Sequence, residues 1–171
     1  MAGRAWRFGD NVDTDAIIES TYLRDPDPQT WARHVLERLR PDFTAGVQPG
    51  GVIVAGENFG TGSSREHAAI ALQAAGITAV VCRSVGRPFY RNAWNNALPV
   101  LESAEAAAGI GEGDEIHLDL STGVISDRTS GESWQATPIP AFLLRINDAG
   151  GLIPWLSAHD NEWPATDGAV A

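Results

Sequence analysis

Nine residues, Gly60-Thr61-Gly62-Ser63-Ser64-Arg65-Glu66-His67-Ala68, put two serine hydroxyls, a guanidinium, a carboxylate and an imidazole on one short stretch. Glycines let a ligand approach the backbone, and a guanidinium grips a carboxylate or phosphate through paired hydrogen bonds. Anion chemistry is therefore the first expectation. Three familiar anion or nucleophile loops are excluded by residue type. The chain has no lysine, all 12 basic residues being arginine, which rules out a Walker loop and a lysine Schiff base. A dinucleotide loop needs a third glycine where Arg65 stands and an acidic residue near position 82, where Cys82 and Arg83 stand. Neither serine has the flanking glycines of a nucleophile elbow.

The elements that hold these residues can be read on either side. Gly51-Val52-Ile53-Val54-Ala55-Gly56 is a β-branched run between glycines, the pattern of a buried strand. Ala68, Ala71, Leu72 and Ala75 recur at helical spacing until Gly76 stops them. The unit is strand, glycine-rich loop, helix. Ser63 falls at the expected N-cap, with Glu66 three residues on as the returning half of a capping box. Two readings are open at this point: the pair only satisfies first-turn amides, or amides, helix end and Arg65 converge on a bound anion.

At 171 residues the chain has the length of one domain, expected to span 1–171. A net charge of −10 argues against nucleic acid and against an anionic membrane surface. Met1 to Phe8 has no apolar leader core and no long apolar run follows, so a soluble cytoplasmic protein is expected. One cysteine, Cys82, cannot hold an iron–sulfur cluster, and four scattered histidines give no metal spacing. Asn11, Asp13 and Asp15 alternate as in a calcium loop, but Ala16 and Tyr22 replace its glycine and glutamate. No metal is expected on this chain.

Elsewhere, Trp6 and Phe8 flank Arg7 in a first strand that ends at Gly9-Asp10-Asn11. A helix is expected over Gln29 to Leu39 from Trp31, Val35, Leu36 and Leu39, then loop from Pro41 to Gly50. Thr78 to Cys82 is a second buried strand, Arg87 to Ala97 a helix, and Pro99 to Leu101 a third strand. From Gly113 the pattern turns to alternation over Glu115–Leu120, Val124–Ser126 and Trp134–Thr137, an antiparallel meander. Ile139 to Asn147 reads as a closing helix, and the tail from Ser157 as a loose extension or partner contact. The expected fold class is α/β, with a parallel βαβαβ core whose ligand face lies at the carboxyl ends of its strands.

The central motif resembles the signature of the mobile swivel domain of the aconitase superfamily, most of all the separate small subunit of isopropylmalate isomerase and its homoaconitase relatives. The likeness extends through Gly9-Asp10-Asn11-Val12-Asp13-Thr14-Asp15-Ala16-Ile17-Ile18, Tyr22-Leu23-Arg24, Val54 to Phe59, Phe89-Tyr90-Arg91-Asn92 and Leu98 to Glu102, about residues 9 to 102 in family order. It implies a three-layer β/β/α swivelling domain and a hydro-lyase of leucine biosynthesis that isomerises 2-isopropylmalate by dehydration and rehydration. Homoaconitase or another 2-substituted-malate dehydratase is the alternative, and a non-catalytic anion-binding or regulatory module a third.

The resemblance also implies roles: Ser63 as the base at the carbon-bound proton, Arg65 as the carboxylate clamp, and Ser64 as a positioning group. Arg24 lies over the substrate's variable end, where it holds a second carboxylate or is a solvated arginine beside Asp25 and Asp27. Asp13 and Asp15 face the active site or cap a turn, and Glu66 and His67 support it. The [4Fe-4S] cluster of this chemistry is expected on a large subunit, in a heterodimer or heterotetramer, with a small di- or tricarboxylic acid as substrate. Thr61 in place of the usual cysteine, and Trp94 in place of a smaller aliphatic, depart from the family pattern.

Overall fold

The computed structural model describes residues 1–159, and the tail beyond His159 lies outside them. One seven-stranded sheet runs through the chain, with strands in the order β4-β3-β2-β1-β5-β6-β7. Strand β1 (Ala2–Arg7) pairs parallel with β2 (Gly51–Ala55) and antiparallel with β5 (Glu115–Asp119), so the sheet changes character across it. Beyond β2 lie the parallel strands β3 (Ile77–Cys82) and β4 (Val100–Glu102). Beyond β5 lie β6 (Val124–Asp127) and β7 (Ser133–Gln135), the expected meander.

Strand β2 is buried at all five positions, because its two faces feed two cores, as in parallel sheets covered on both sides. Ile53 and Ala55 pack beneath helices α4 (His67–Ala74) and α5 (Arg87–Asn95), with Leu72, Phe89 and Ala93. Val52 and Val54 pack on the other face with Ile116, Leu118 and Ile125 from β5 and β6, and with Ala106 and Ile110 at α6 (Ala104–Gly109). Residues of the antiparallel half therefore cover the parallel half, which requires the sheet to curl. The layers are β/β/α, in agreement with the sequence reading.

Between β1 and β2 the sequence reading fails in part. The apolar stripe from Gln29 to Leu39 predicts one long helix; the structure has a short α2 (Pro28–Ala32) followed by turns. Leu36 adopts φ +58, which no helix tolerates, and its amide donates to the Ile17 carbonyl at 2.8 Å. Trp31, Val35 and Leu36 are buried as expected, whereas Leu39 is exposed. The expected loop from Pro41 to Gly50 contains a one-turn helix, α3 (Phe43–Gly46), which buries Phe43 against Trp6 at 4.9 Å between ring centroids. The closing helix, α7 (Ala141–Asp148), is joined by α8 (Leu152–Ala158), so the chain through Ala158 is helical where a loose tail was expected from Ser157. Asp160, Asn161, Trp163 and Pro164 lie outside the described residues.

Candidate functional site

Three loops leave the carboxyl ends of β1, β2 and β3 and are stitched together by backbone hydrogen bonds that prolong the sheet. The Gly60 amide donates to Val12 O at 2.7 Å and the Thr14 amide to Thr61 O at 2.8 Å. On the other side the Phe59 amide donates to Ser84 O at 3.0 Å and the Gly86 amide to Phe59 O at 2.8 Å. Gly60 has φ +71, and a Cβ there would meet the Phe89 ring at 2.3 Å, so both backbone and space demand glycine. The glycine-rich loop is thus a rigid strip between two neighbours.

Ser63 is not the N-cap of α4, contrary to the capping-box reading. Glu66 occupies the N-cap, makes no side-chain cap bond, and instead accepts from Asn96 Nδ2 at 3.1 Å. The Ser63 hydroxyl oxygen accepts from both the Arg65 amide, at 3.2 Å, and Arg65 Nε, at 3.1 Å. One serine oxygen therefore faces a peptide dipole and a permanent cation, the two groups that favour its ionised form. Among the described residues only the Nε donor of the Arg65 guanidinium is spent, and the group has no carboxylate partner. The amides of Ser64, Glu66 and His67 have no hydrogen-bond partner among the described residues either. The loop presents unpaired donors to an anion.

Ser63, Arg65, Asp15 and His67 line one small cavity of about 10 Å³, roughly the room of one water, with Thr14, Ile18, Leu23 and Ala68. Asp13 does not line it: it is the N-cap of α1 (Thr14–Ile17), accepting from the Ala16 amide at 2.7 Å. Ser64 and Glu66 are exposed beside the cavity in sequence but do not line it. Arg24 ends a single 3-10 turn, Tyr22–Arg24, is exposed, and makes no ion pair with Asp25 or Asp27. Asp25 is occupied otherwise: the Asp27 amide and the Thr30 hydroxyl hold its carboxyl below its usual range. His67 packs edge-on against Trp31 at 4.9 Å, with Nδ1 buried and unpartnered among the described residues.

Sequence reasoning passed over Thr14, Ile18 and Leu23. Thr14 is buried, and its hydroxyl accepts from the Ser63 amide at 2.9 Å, fixing that serine's backbone from across the cavity. It stood between two aspartates that drew attention to themselves, and only the pairing of the two loops reveals it. Ile18 and Leu23 give the cavity an apolar wall. Of the departures from the family pattern, Thr61 uses its backbone to bind Thr14, and Trp94 is buried on α5 beside Tyr90, away from the cavity lining. A larger open groove of about 730 Å³ lies along β1 and the start of β2, lined by Arg4, Trp6, Gln48, Glu112 and Glu115 among others. It sits at the amino end of β2, away from the strand ends where open α/β sheets bind ligands, and its lining has no serine, histidine or cysteine.

Residues 44–106 match the Aconitase C-terminal domain family. Over 153 residues the chain is 51% identical to the 3-isopropylmalate dehydratase small subunit of Nautilia profundicola, covering 90% of this chain and 92% of that one. Over 155 residues it is 50% identical to the 3-isopropylmalate dehydratase small subunit of Methanosarcina mazei, covering 91% and 95%. The crystal structure of 3-isopropylmalate dehydratase from Methanocaldococcus jannaschii superposes with a TM-score of 0.88 at 40% identity, covering 94% of this chain and 95% of that one.

Proposed function

This chain belongs to the family of 3-isopropylmalate dehydratase small subunits, and from that premise we propose that it works as one wall of a two-chain active site that converts 2-isopropylmalate to 3-isopropylmalate. The overall change is loss of the carbon-bound proton and the hydroxyl as water, followed by return of water with hydrogen and hydroxyl exchanged between neighbouring carbons. One observation carries the reading: Ser63 Oγ accepts two hydrogen bonds from Arg65 at the edge of a cavity with an apolar wall. Ser63 is the base that takes the carbon-bound proton and later returns it. The Arg65 amide and Nε stabilise the alkoxide, and the remaining guanidinium donors clamp a substrate carboxylate. Ser64 and the free amides around it complete the anion grip, with Asp15 and His67 as supporting groups on the cavity wall and Asp13 and Glu66 supporting its loops.

The cavity holds about one water, far too little to enclose a branched diacid, which supports a second chain as the cover of the substrate. That chain is a large subunit, in a heterodimer or heterotetramer. A [4Fe-4S] cluster needs three or four thiolates, whereas this chain has Cys82 alone, buried in the core. Burial, helped by the Glu102 charge, pushes that thiol up to about 12. The residues of this chain do not fit the cluster, which is assigned to the large subunit, and no step on this chain is drawn through it. Residues 1–171 act as a single swivel domain in the cytoplasm. Among the described residues no helix is long and apolar enough to cross a membrane.

Substrate identity rests on Leu23 and Arg24. Leu23 and Ile18 face the cavity and suit an isopropyl group. Arg24, next to Leu23 in sequence and without an ion-pair partner among the described residues, supports a second reading, a 2-substituted malate with a carboxylate at its variable end, as in homoaconitase. Turnover of a panel of isopropyl-ended and carboxyl-ended 2-hydroxy diacids by the complex with its large subunit tests both. Preference for 2-isopropylmalate is expected. Preference for the carboxyl-ended acid would select the second reading, and no turnover of any diacid would leave an anion-binding module.

A further inference from the structure

Helix α5 reaches the reactive loop through one side chain that the reading above leaves unused. Asn92 is one of four buried polar residues among those described, and its Nδ2 donates to the Ser64 carbonyl at 2.7 Å. That carbonyl belongs to the same peptide unit as the Arg65 amide, which donates to Ser63 Oγ at 3.2 Å. A peptide unit is planar, so holding its oxygen on one side aims its N–H on the other. Hydrogen bonding at the oxygen also polarises the N–H, strengthening such chains by about 10–30% per bond. Asn96, one turn on, donates to Asn92 O at 2.9 Å and to Glu66 Oε2 at 3.1 Å, tying the same helix face to the loop.

We propose that Asn92 is a positioning residue, which fixes and polarises the Ser64–Arg65 peptide so that its N–H stabilises the Ser63 oxygen when that oxygen carries charge. The inference rests on Ser63 being the base. Asparagine is the residue type the task requires, since it is neutral, buried without ionising, and has an N–H directed at a carbonyl. An ionised aspartate at the same place offers acceptors only, facing an acceptor. A leucine offers nothing.

The test uses the complex with its large subunit and five variants, one of them double. Asn92→Leu should lower kcat about 10-fold or more with KM changed less than about 3-fold, because the loss falls on an interaction with the ionising serine rather than on the guanidinium clamp. Asn92→Asp regains a donor only when protonated, and burial raises its pKa toward the assay range. Its kcat relative to the parent should therefore fall at least several-fold as pH rises. A steric role for Asn92 leaves that ratio flat. Ser63→Ala should be inactive, and adding Asn92→Leu to it should cost nothing further. Gln73→Ala, which removes a similar amide-to-carbonyl bond to Ala97 at the far end of α4, should keep parental kcat.

If Ser63→Ala is inactive while Asn92→Leu keeps kcat within twofold, or the Asn92→Asp ratio is flat, the inference fails and the Ser63 reading stands. If Ser63→Ala turns over normally, the Ser63 reading fails and takes the inference with it. Should Asn92→Leu fail to fold, Asn92→Asp decides alone. Failure of both to fold assigns Asn92 to the fold and overturns the proposal.

Discussion

Ser63 Oγ accepts from the amide two residues on, a local turn that asparagine also makes, and this allows chemistry to be separated from structure at one position. Ser63→Asn keeps an acceptor for the Arg65 amide and leaves its own amide on Thr14. An amide side chain cannot take up a proton at assay pH. The melting temperature should therefore stay close to the parent's while kcat falls on the order of 100-fold or more. A thermal melt and a saturating-substrate assay check it, with KM measured to detect exclusion of substrate. Retained turnover would move the base to Ser64 or to the large subunit.

Arg24 calls for a different measurement, because the question there is preference rather than rate. It is exposed and has no ion-pair partner among the described residues, next in sequence to the cavity-lining Leu23. Arg24→Val should cost a carboxyl-ended substrate about 10-fold or more in kcat/KM, the worth of a charge-assisted hydrogen bond, while leaving an isopropyl-ended substrate within about 2-fold. An unchanged ratio between the two would make Arg24 a solvated arginine. At this scale the candidate residues stood out in the sequence because so many polar types crowd onto one short stretch. Ser63 was misplaced as a cap, since spacing suggests one and only the structure shows that Glu66 takes that position. Thr14 was not legible at all, its task being to hold a backbone amide 49 residues away.

Among the elements, the β6–β7 connection carries the clearest electrostatic consequence. Asp127 is 2% exposed, and its carboxylate accepts from the Thr129 amide at 2.8 Å, the Ser130 amide at 3.3 Å and the Ser130 hydroxyl at 2.7 Å. Burial works to raise its pKa, but these hydrogen bonds outweigh it and the folded value lies below the ordinary one. A depressed carboxyl pKa adds stability that is complete above about pH 4 and is lost as pH falls through the folded value. Asp127→Ala should lower the melting temperature at pH 7 by roughly 3–10 °C, the loss of one buried charged acceptor in a chain of this length. The difference from the parent should shrink below pH 4. A constant difference across that range would mean that the turn is held by packing instead.

The elements also show where periodicity misleads. Strands β2 and β3 were legible from short β-branched runs that are almost wholly buried, and helices α4 and α5 from apolar residues at helical spacing. The segment after α2 has an equally good helical stripe, and the buried positions Trp31, Val35 and Leu36 follow it. Tertiary demand overrides it: Leu36 takes a left-handed conformation so that its amide can reach Ile17 O, docking the segment on α1 instead of prolonging a helix. Local spacing records which residues are inside and leaves open the backbone route that carries them there.

At the scale of the whole molecule, the parallel core and the antiparallel meander followed from strand order and alternation and the β/β/α layering from the family resemblance, but the pivotal place of β1 followed from neither. Its short run joins parallel and antiparallel halves only because strands more than 40 residues apart in sequence pair with it. No residue of the meander lines the cavity at the Ser63 loop, whereas Thr129 of the β6–β7 turn lines the separate groove along β1 and the start of β2, and this separation yields a test of how the two chains meet. The chain alone should be colourless and without dehydratase turnover. In the isolated chain the amides of Ser64, Glu66 and His67, which lack partners among the described residues, should exchange hydrogen near unstructured rates. Addition of the large subunit should slow exchange on the order of 10-fold or more in the peptides spanning Thr14 to Arg24 and Gly60 to His67, where the open cavity must be covered. The Thr129 and Ser130 amides, already bonded to Asp127 on the meander, should keep their rates. Protection confined to the meander, with the Ser63 loop still exchanging freely, would place the large subunit on the wrong face for a shared active site and would overturn the two-walled arrangement.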